Sequence, residues 1–174
     1  MASFFGHAAV ALTAHSLRKE KQRRGLRSLL AITAATGPDL DALGHWAGVP
    51  YDSPWGHRGF THSIAFAILL GMIFSLILNR RIRIGDTLFF GVVTLSHSLL
   101  DALTNGGRGV ALLWPFGNER YFFPWRPIEV SPISIRLFFG RYGWEVIQSE
   151  AVWIGLPCLL AWFVGRQLVK KTVN

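Results

Sequence analysis

The chain is 174 residues long, enough for one domain or two small ones. It is 51% hydrophobic and only 16% charged, with a mean hydropathy of +0.33, which excludes a disordered chain and disfavours a soluble protein, whose surface carries more charge. One cysteine excludes an internal disulfide framework or a cysteine-rich zinc module, and a net charge of +8 points to an anionic partner, nucleic acid or lipid headgroup.

Five stretches lack Lys, Arg, Asp and Glu: residues 2–17, 28–38, 63–79, 87–100 and 151–165. The first has no basic residue ahead of its apolar run, so it reads as a retained helix rather than a secretory leader. The second ends at Gly37-Pro38, because proline disfavours helix in the residue before it. The third is the strongest membrane candidate, its 17 residues spanning about 25 Å. Together they predict an all-α integral membrane protein of about five transmembrane or membrane-embedded helices, forming a single embedded domain over residues 1–174. Two long outer loops, about 39–62 and 101–149, complete it. The stretch 114–132 is expected as an aromatic loop at the interface.

The basic residues are unevenly placed. Arg18, Lys19, Lys21, Arg23, Arg24 and Arg27, then Arg80, Arg81 and Arg83, then Arg166, Lys170 and Lys171 all fall on one side of a five-helix serpentine, 12 of the 18 in the chain. The positive-inside rule makes that side cytoplasmic and puts the N-terminus outside. The basic charge is therefore a topology signal facing membrane lipid, and no nucleic-acid partner is expected.

Charged and imidazole groups inside membrane segments mark function. His7, Asp39, His97, Glu150, His62 and Asp101 lie 11–18 residues from the basic residue flanking their own segment, about 16–27 Å along a helix. Five elements thus carry polar groups to one slab near the outer face. His97 and Asp101, at i,i+4, share a helix face. Asp39 and Asp41 follow the proline break. In Gly56-His57-Arg58-Gly59-Phe60-Thr61-His62-Ser63, Gly59 permits a turn before Ser63 opens the next helix. Imidazole with carboxylate suits zinc or a similar divalent ion, with manganese second. The candidate ligands are His7, Asp39, Asp41, His57, His62, His97 and Asp101, enough for two ions, with Glu150 an eighth. Asp41 or Glu150, if not consumed as a ligand, is a candidate general base. Arg58 is the candidate contact for a substrate phosphate, or a snorkelling side chain. His15, at the basic end, reads as structural, and His45 as an open case near Asp41.

The runs GPDLD, GHRGFTHS and LSHSLLDALTNGG, with the early Gly6-His7 pair and a later LLWP, resemble the YdjM-type family of inner-membrane-associated proteins over about residues 6–116. The resemblance implies a metal-dependent hydrolase without naming a substrate. Members of that family carry a histidine directly after the second aspartate; here Ala42 stands there, which makes His45 the alternative ligand. The order of ligands is also similar, more loosely, to zinc-dependent phospholipase C. The expected function is hydrolysis of a lipid-linked phosphoester at the outer face of the membrane. The rivals are an intramembrane metal or proton transporter and a scaffold with a structural metal; the apolar inner halves of the third and fourth segments disfavour a through-path.

Overall fold

A computed structural model describes residues 1–20, 23–132 and 134–171. Lys21 of the basic cluster lies outside the described residues, as do the side chains of Lys170 and Lys171. Eight α-helical pieces follow in chain order: α1 (Phe4–Ser16), α2 (Arg24–Thr36), α3 (Ala42–Trp46), α4 (Ile64–Asn79), α5 (Ile84–Ala102), α6 (Ile135–Phe138), α7 (Arg141–Glu150) and α8 (Leu156–Lys171). Tight 3-10 turns at Gly37–Asp41 and Phe60–His62 lead into α3 and α4. Among the described residues no strand forms; two isolated bridges, Thr104 with Ile128 and Val110 with Tyr121, pin the loop that follows α5.

Local chemistry sets the boundaries. Ser3 and Ser63 cap α1 and α4, their side chains accepting from the amides of Gly6 and Phe66. Thr36 is the last residue of α2, as the Gly37-Pro38 break requires. Between α7 and α8 the helix widens into a π turn, Ala151–Gly155. Pro157 lacks the amide hydrogen that an α-helical register would offer to Trp153, so the backbone re-registers there instead of ending.

α4 packs along α5, α1 along α2, and α2 against α5. Ala11, Ala31, Ala34 and Ala35 with Leu30, Phe74, Leu78, Phe90 and Val93 fill the space between them. Small residues let these helices approach: a Cβ on Gly71 of α4 would sit 2.4 Å from the Thr87 carbonyl oxygen of α5. Outside, the bundle is apolar, with Ile68, Leu69, Ile73, Leu76 and Ile77 of α4 and Leu159, Leu160, Phe163 and Val164 of α8 exposed.

The helical class is as expected, but the number of spans is not confirmed. One continuous helix, Arg141–Leu168, with 28 residues, is long and apolar enough to cross a membrane, and α4 is a shorter apolar helix. α1 and α2, with 13 residues each, reach only about 20 Å, short of a bilayer core of about 30 Å. The last helix also begins earlier than the uncharged stretch 151–165, so α7 occupies part of what reads as outer loop in sequence.

Replacing Gly71 with valine should lower the unfolding free energy by about 1–3 kcal/mol, because the contact it would crowd is backbone. Gly91→Ala, whose Cβ would meet its nearest neighbour at 3.3 Å, should cost less. Denaturation of the detergent-solubilised protein checks both; equal effects would mean that the α4–α5 crossing is looser than described.

Candidate metal centre

One end of the bundle gathers the start of α1, the end of α2 with its 3-10 turn, the turn before α4 and the last turn of α5. Asp39, His62, His97 and Asp101 each bring one donor atom to a point there, all within 4.8 Å of one another. Three are fully buried, and the Asp39 side chain keeps 15% exposure.

The partners of each imidazole assign its tautomer. His97 Nδ1 lies 2.7 Å from the Ala35 carbonyl oxygen and donates to it, leaving Nε2 a bare lone pair. His62 Nδ1 lies 3.0 Å from Thr61 Oγ1 and 3.2 Å from Asp41 Oδ2, which turns its Nε2 toward the same point. Those two Nε2 atoms are 3.0 Å apart. Asp39 Oδ1, 3.4 Å from His97 Nε2, is buried with no hydrogen-bond partner among the described residues, and Asp101 Oδ2, 3.6 Å from His62 Nε2, faces the Arg58 guanidinium. Four electron-pair donors facing one point repel one another unless a cation or proton lies among them. The donor set of two imidazoles and two carboxylates fits a divalent ion such as zinc.

Supporting residues hold this arrangement. Asp41 accepts from His57 Nδ1 at 2.6 Å on one oxygen, and from the Arg58 amide at 3.0 Å and Thr61 Oγ1 at 2.5 Å on the other. Burial would raise its pKa, but the hydrogen bonds with His57 and His62 outweigh that and hold the carboxyl well below its usual range. Burial likewise opposes a charge on His62, yet the Asp101 and Asp41 carboxylates beside its ring prevail and push its pKa up to about 9. Arg58, wholly buried, sets Nε 3.0 Å from Asp101 Oδ2, while Nη1 donates to the Gly106 carbonyl at 3.0 Å and Nη2 to Thr104 Oγ1 at 3.1 Å. Its φ of +65° is a left-handed conformation uncommon outside glycine. Gly107 makes room for it, since a Cβ there would lie 2.5 Å from Nη1.

The structure therefore brings four of the seven candidate ligands to one point and sorts the others around it. His7 stacks on His97 with ring centroids 3.9 Å apart, its Nε2 3.4 Å from Asp101 Oδ1. Asp41 and His57 form a pair behind His62. Glu150 is bound by Ser3, through the amide to one oxygen and through Oγ at 2.5 Å to the other. Arg58 is turned onto protein groups rather than solvent, and exposed His45 stands outside the four-residue group. Thr61, Thr104, Ser3 and Arg120, which donates to the carbonyls of His57 and Tyr51 at 2.8 Å each, were not singled out from sequence. Thr61 and Thr104 carried a signal, as hydroxyls inside the GHRGFTHS and LSHSLLDALTNGG runs.

The profile of the YdjM inner membrane protein family matches residues 1–173. The chain belongs to that family. It is 45% identical over 132 residues to the inner membrane protein YbcI of Escherichia coli K12, covering 74% of this chain and 76% of that one. Against the inner membrane protein YdjM of the same organism it is 38% identical over 94 residues, 49% of this chain and 47% of the relative, and the YdjM of Shigella flexneri gives the same figures. No solved structure matches. The relatives support an inner-membrane location, and with it the exposed apolar exterior of α4 and α8.

Metal content should fall sharply in His62→Ala, His97→Ala and Asp101→Ala, and elemental analysis after reconstitution reads this directly. Asp41→Asn, which weakens the partner of a ligand rather than a ligand, should lower affinity about 10–100-fold. Because His62 is protonated below about pH 9 in the metal-free chain, ion binding at pH 7 must expel a proton, so affinity should climb with pH up to that point and then level. Calorimetry in buffers of different ionisation enthalpy measures that proton; binding that releases none would contradict a protonated His62.

Proposed function

We propose that this member of the YdjM family is a membrane-embedded, metal-dependent hydrolase acting on a lipid-linked phosphoester at the outer face of the inner membrane. The observation that carries the reading is the meeting of two imidazole nitrogens and two carboxylate oxygens in one buried site. Zinc is the first choice of ion and manganese the second. Four donors account for one ion, and His7 beside Asp101 Oδ1 offers a ligand toward a second. When bound, such an ion polarises a phosphoryl oxygen and lowers the pKa of water. The chain's own residues do the rest: Asp41 and Thr61 orient His62, the Ala35 carbonyl orients His97, and Arg58 fixes Asp101. Asp39, the least buried ligand, gives the site its contact with the outside, as a catalytic centre needs and a closed structural one does not.

A lipid substrate is favoured by the walls beside the site. An apolar groove of about 360 Å³ runs between α1 and α7, lined by Phe5, Gly6, Ala9, Ile147, Glu150 and Ile154. A second of about 520 Å³ follows along α1 and α8 and shares Ala9 and Gly155 with it. Together they suit an acyl chain entering sideways, with Glu150 at the groove edge as candidate general base. In this reading α1, α2, α4, α5 and the α7–α8 helix are the five embedded helices of one domain, with the arginine-rich end in the cytoplasm. Leu30, Ala31, Phe74, Phe90 and Val93 fill the middle of the bundle, which argues against a transport path through it.

Reconstituted protein should hydrolyse one or more members of a panel of phospholipids and polyprenyl phosphates. His62→Ala should be inactive, and Glu150→Gln should be slowed at least about 100-fold with its metal retained. Turnover of soluble phosphodiesters with every lipid untouched would remove the lipid; metal-loaded protein that cleaves no phosphoester would remove the hydrolase. Orientation is read separately, by single substitutions Trp125→Cys and Arg81→Cys in a Cys158→Ala background. An impermeant thiol reagent should label the first and spare the second in cells with a permeable outer envelope.

A further inference from the structure

The opposite end of the bundle holds a second polar assembly with no part in the metal centre. There the start of α2, the end of α4 and the turn between α4 and α5 surround a cavity of about 170 Å³ lined by Arg23, Arg27, Leu78, Asn79, Arg81 and Arg83. At about 30 Å³ for a water's share of liquid volume, it has room for a phosphate group.

Its charges are not balanced by the chain. Asp86 Oδ1 lies 3.2 Å from Arg18 Nη2 and 3.4 Å from Arg27 Nη1, and Glu20 also pairs with both arginines. Asn79 Nδ2 donates to Asp86 Oδ2 at 2.9 Å. The carboxylates near the cavity are thus turned to Arg18 and Arg27, while Arg23, Arg81 and Arg83 have no carboxylate partner among the described residues. Arg27 is 3% exposed, and its Nε is a buried donor with no hydrogen-bond partner among the described residues. A buried, unsatisfied guanidinium N–H is costly, and a ligand with several acceptor oxygens removes that cost. Arg23 is held at φ +51° to open α2, a left-handed conformation that an L residue adopts only at a cost.

We propose that this cavity binds a phosphate group, and that its source is the headgroup of an anionic phospholipid in the cytoplasmic leaflet. Guanidinium forks match phosphate oxygens in geometry and charge. Basic pockets between helices at that face are where such headgroups dock. Leu76, Ile77 and Ile82, exposed around this end of α4, supply an apolar surface for the acyl chains. The lipid source rests on the membrane-embedded reading above; the phosphate chemistry does not.

The full chain in a non-ionic detergent is offered equal amounts of phosphatidylglycerol and phosphatidylcholine with the same acyl chains, and retained lipid is read by native mass spectrometry. In parallel, the thermal midpoint is followed against inorganic phosphate, with chloride at equal ionic strength as control. Phosphatidylglycerol should be retained preferentially. The double variant Arg81→Gln, Arg83→Gln, which breaks no ion pair of the fold, should lose about tenfold in that retention, the equivalent of one charge-assisted hydrogen bond. Zinc content at the far end of the bundle reports that the variant is folded. A midpoint raised by phosphate and abolished in the double variant, with no preference between the lipids, supports the phosphate site and makes a small anion its ligand. Equal retention of both lipids with no effect of phosphate, or a zinc-loaded double variant that keeps its phosphatidylglycerol, overturns the proposal.

Discussion

The burial of Asp101 is the constraint on which the rest of the site depends. A carboxylate with no exposure costs several kcal/mol unless charge and hydrogen bonds surround it. Here the Ala2 amide reaches Oδ1 at 2.8 Å, His7 approaches the same oxygen, and Arg58 and His62 face Oδ2. These groups come from two distant parts of the chain, Ala2 and His7 from its start and Arg58 and His62 from the loop before α4. Satisfying this one carboxylate therefore docks the start of α1, the loop before α4 and the last turn of α5 onto one another. The left-handed Arg58 follows from this demand. An ordinary backbone there would carry the guanidinium elsewhere, and the surrounding contacts, including the Asp41 carboxylate on the Arg58 amide, hold it in place.

The same logic orders the groups behind the ligands. An imidazole is a ligand only when its other nitrogen is held, and the chain supplies a backbone carbonyl for His97 and a hydroxyl–carboxylate pair for His62. His57 has the residue type of a ligand, but its Nδ1 is committed to Asp41. Its effect on the site passes through the position of that carboxylate.

How much of this was legible in the sequence depends on which coordinate is asked for. Spacing from flanking basic residues gives height along a helix, and it brought Asp39, His62, His97 and Asp101 to one level. Height says nothing of rotation about the helix axis, so it could not separate these four from His7, or from Glu150, whose oxygens meet Ser3 instead. The i,i+4 pair His97 and Asp101 was legible because both residues lie on one helix. The early start of α2 was hidden, because Arg27 is buried beside Asp86, 59 residues on, and a charge reads as solvent-facing until its partner is known. α7 was hidden for a similar reason: Arg141, Glu145 and Gln148 interrupt the apolar pattern, although the helix runs unbroken into α8. The aromatic stretch 114–132 reads as loop and is loop, because its prolines and short polar runs allow neither period.

α5 links the two ends of the molecule. Asp86 in its first turn answers Arg27, and Asp101 in its last answers Arg58; the two aspartates are 15 positions apart, about 22 Å along the helix. Between those pairs the contacts are alanine, phenylalanine and valine against similar surfaces, and such surfaces set no unique register. In a lipid surround there is also little hydrophobic drive to pick one, since the solvent is as apolar as the side chains. Two buried ion pairs supply what the middle lacks. Sliding α5 by one turn would strip both aspartates of their partners at once. The pair at the arginine-rich end therefore contributes to the candidate metal centre without touching it, by fixing the height at which His97 meets His62.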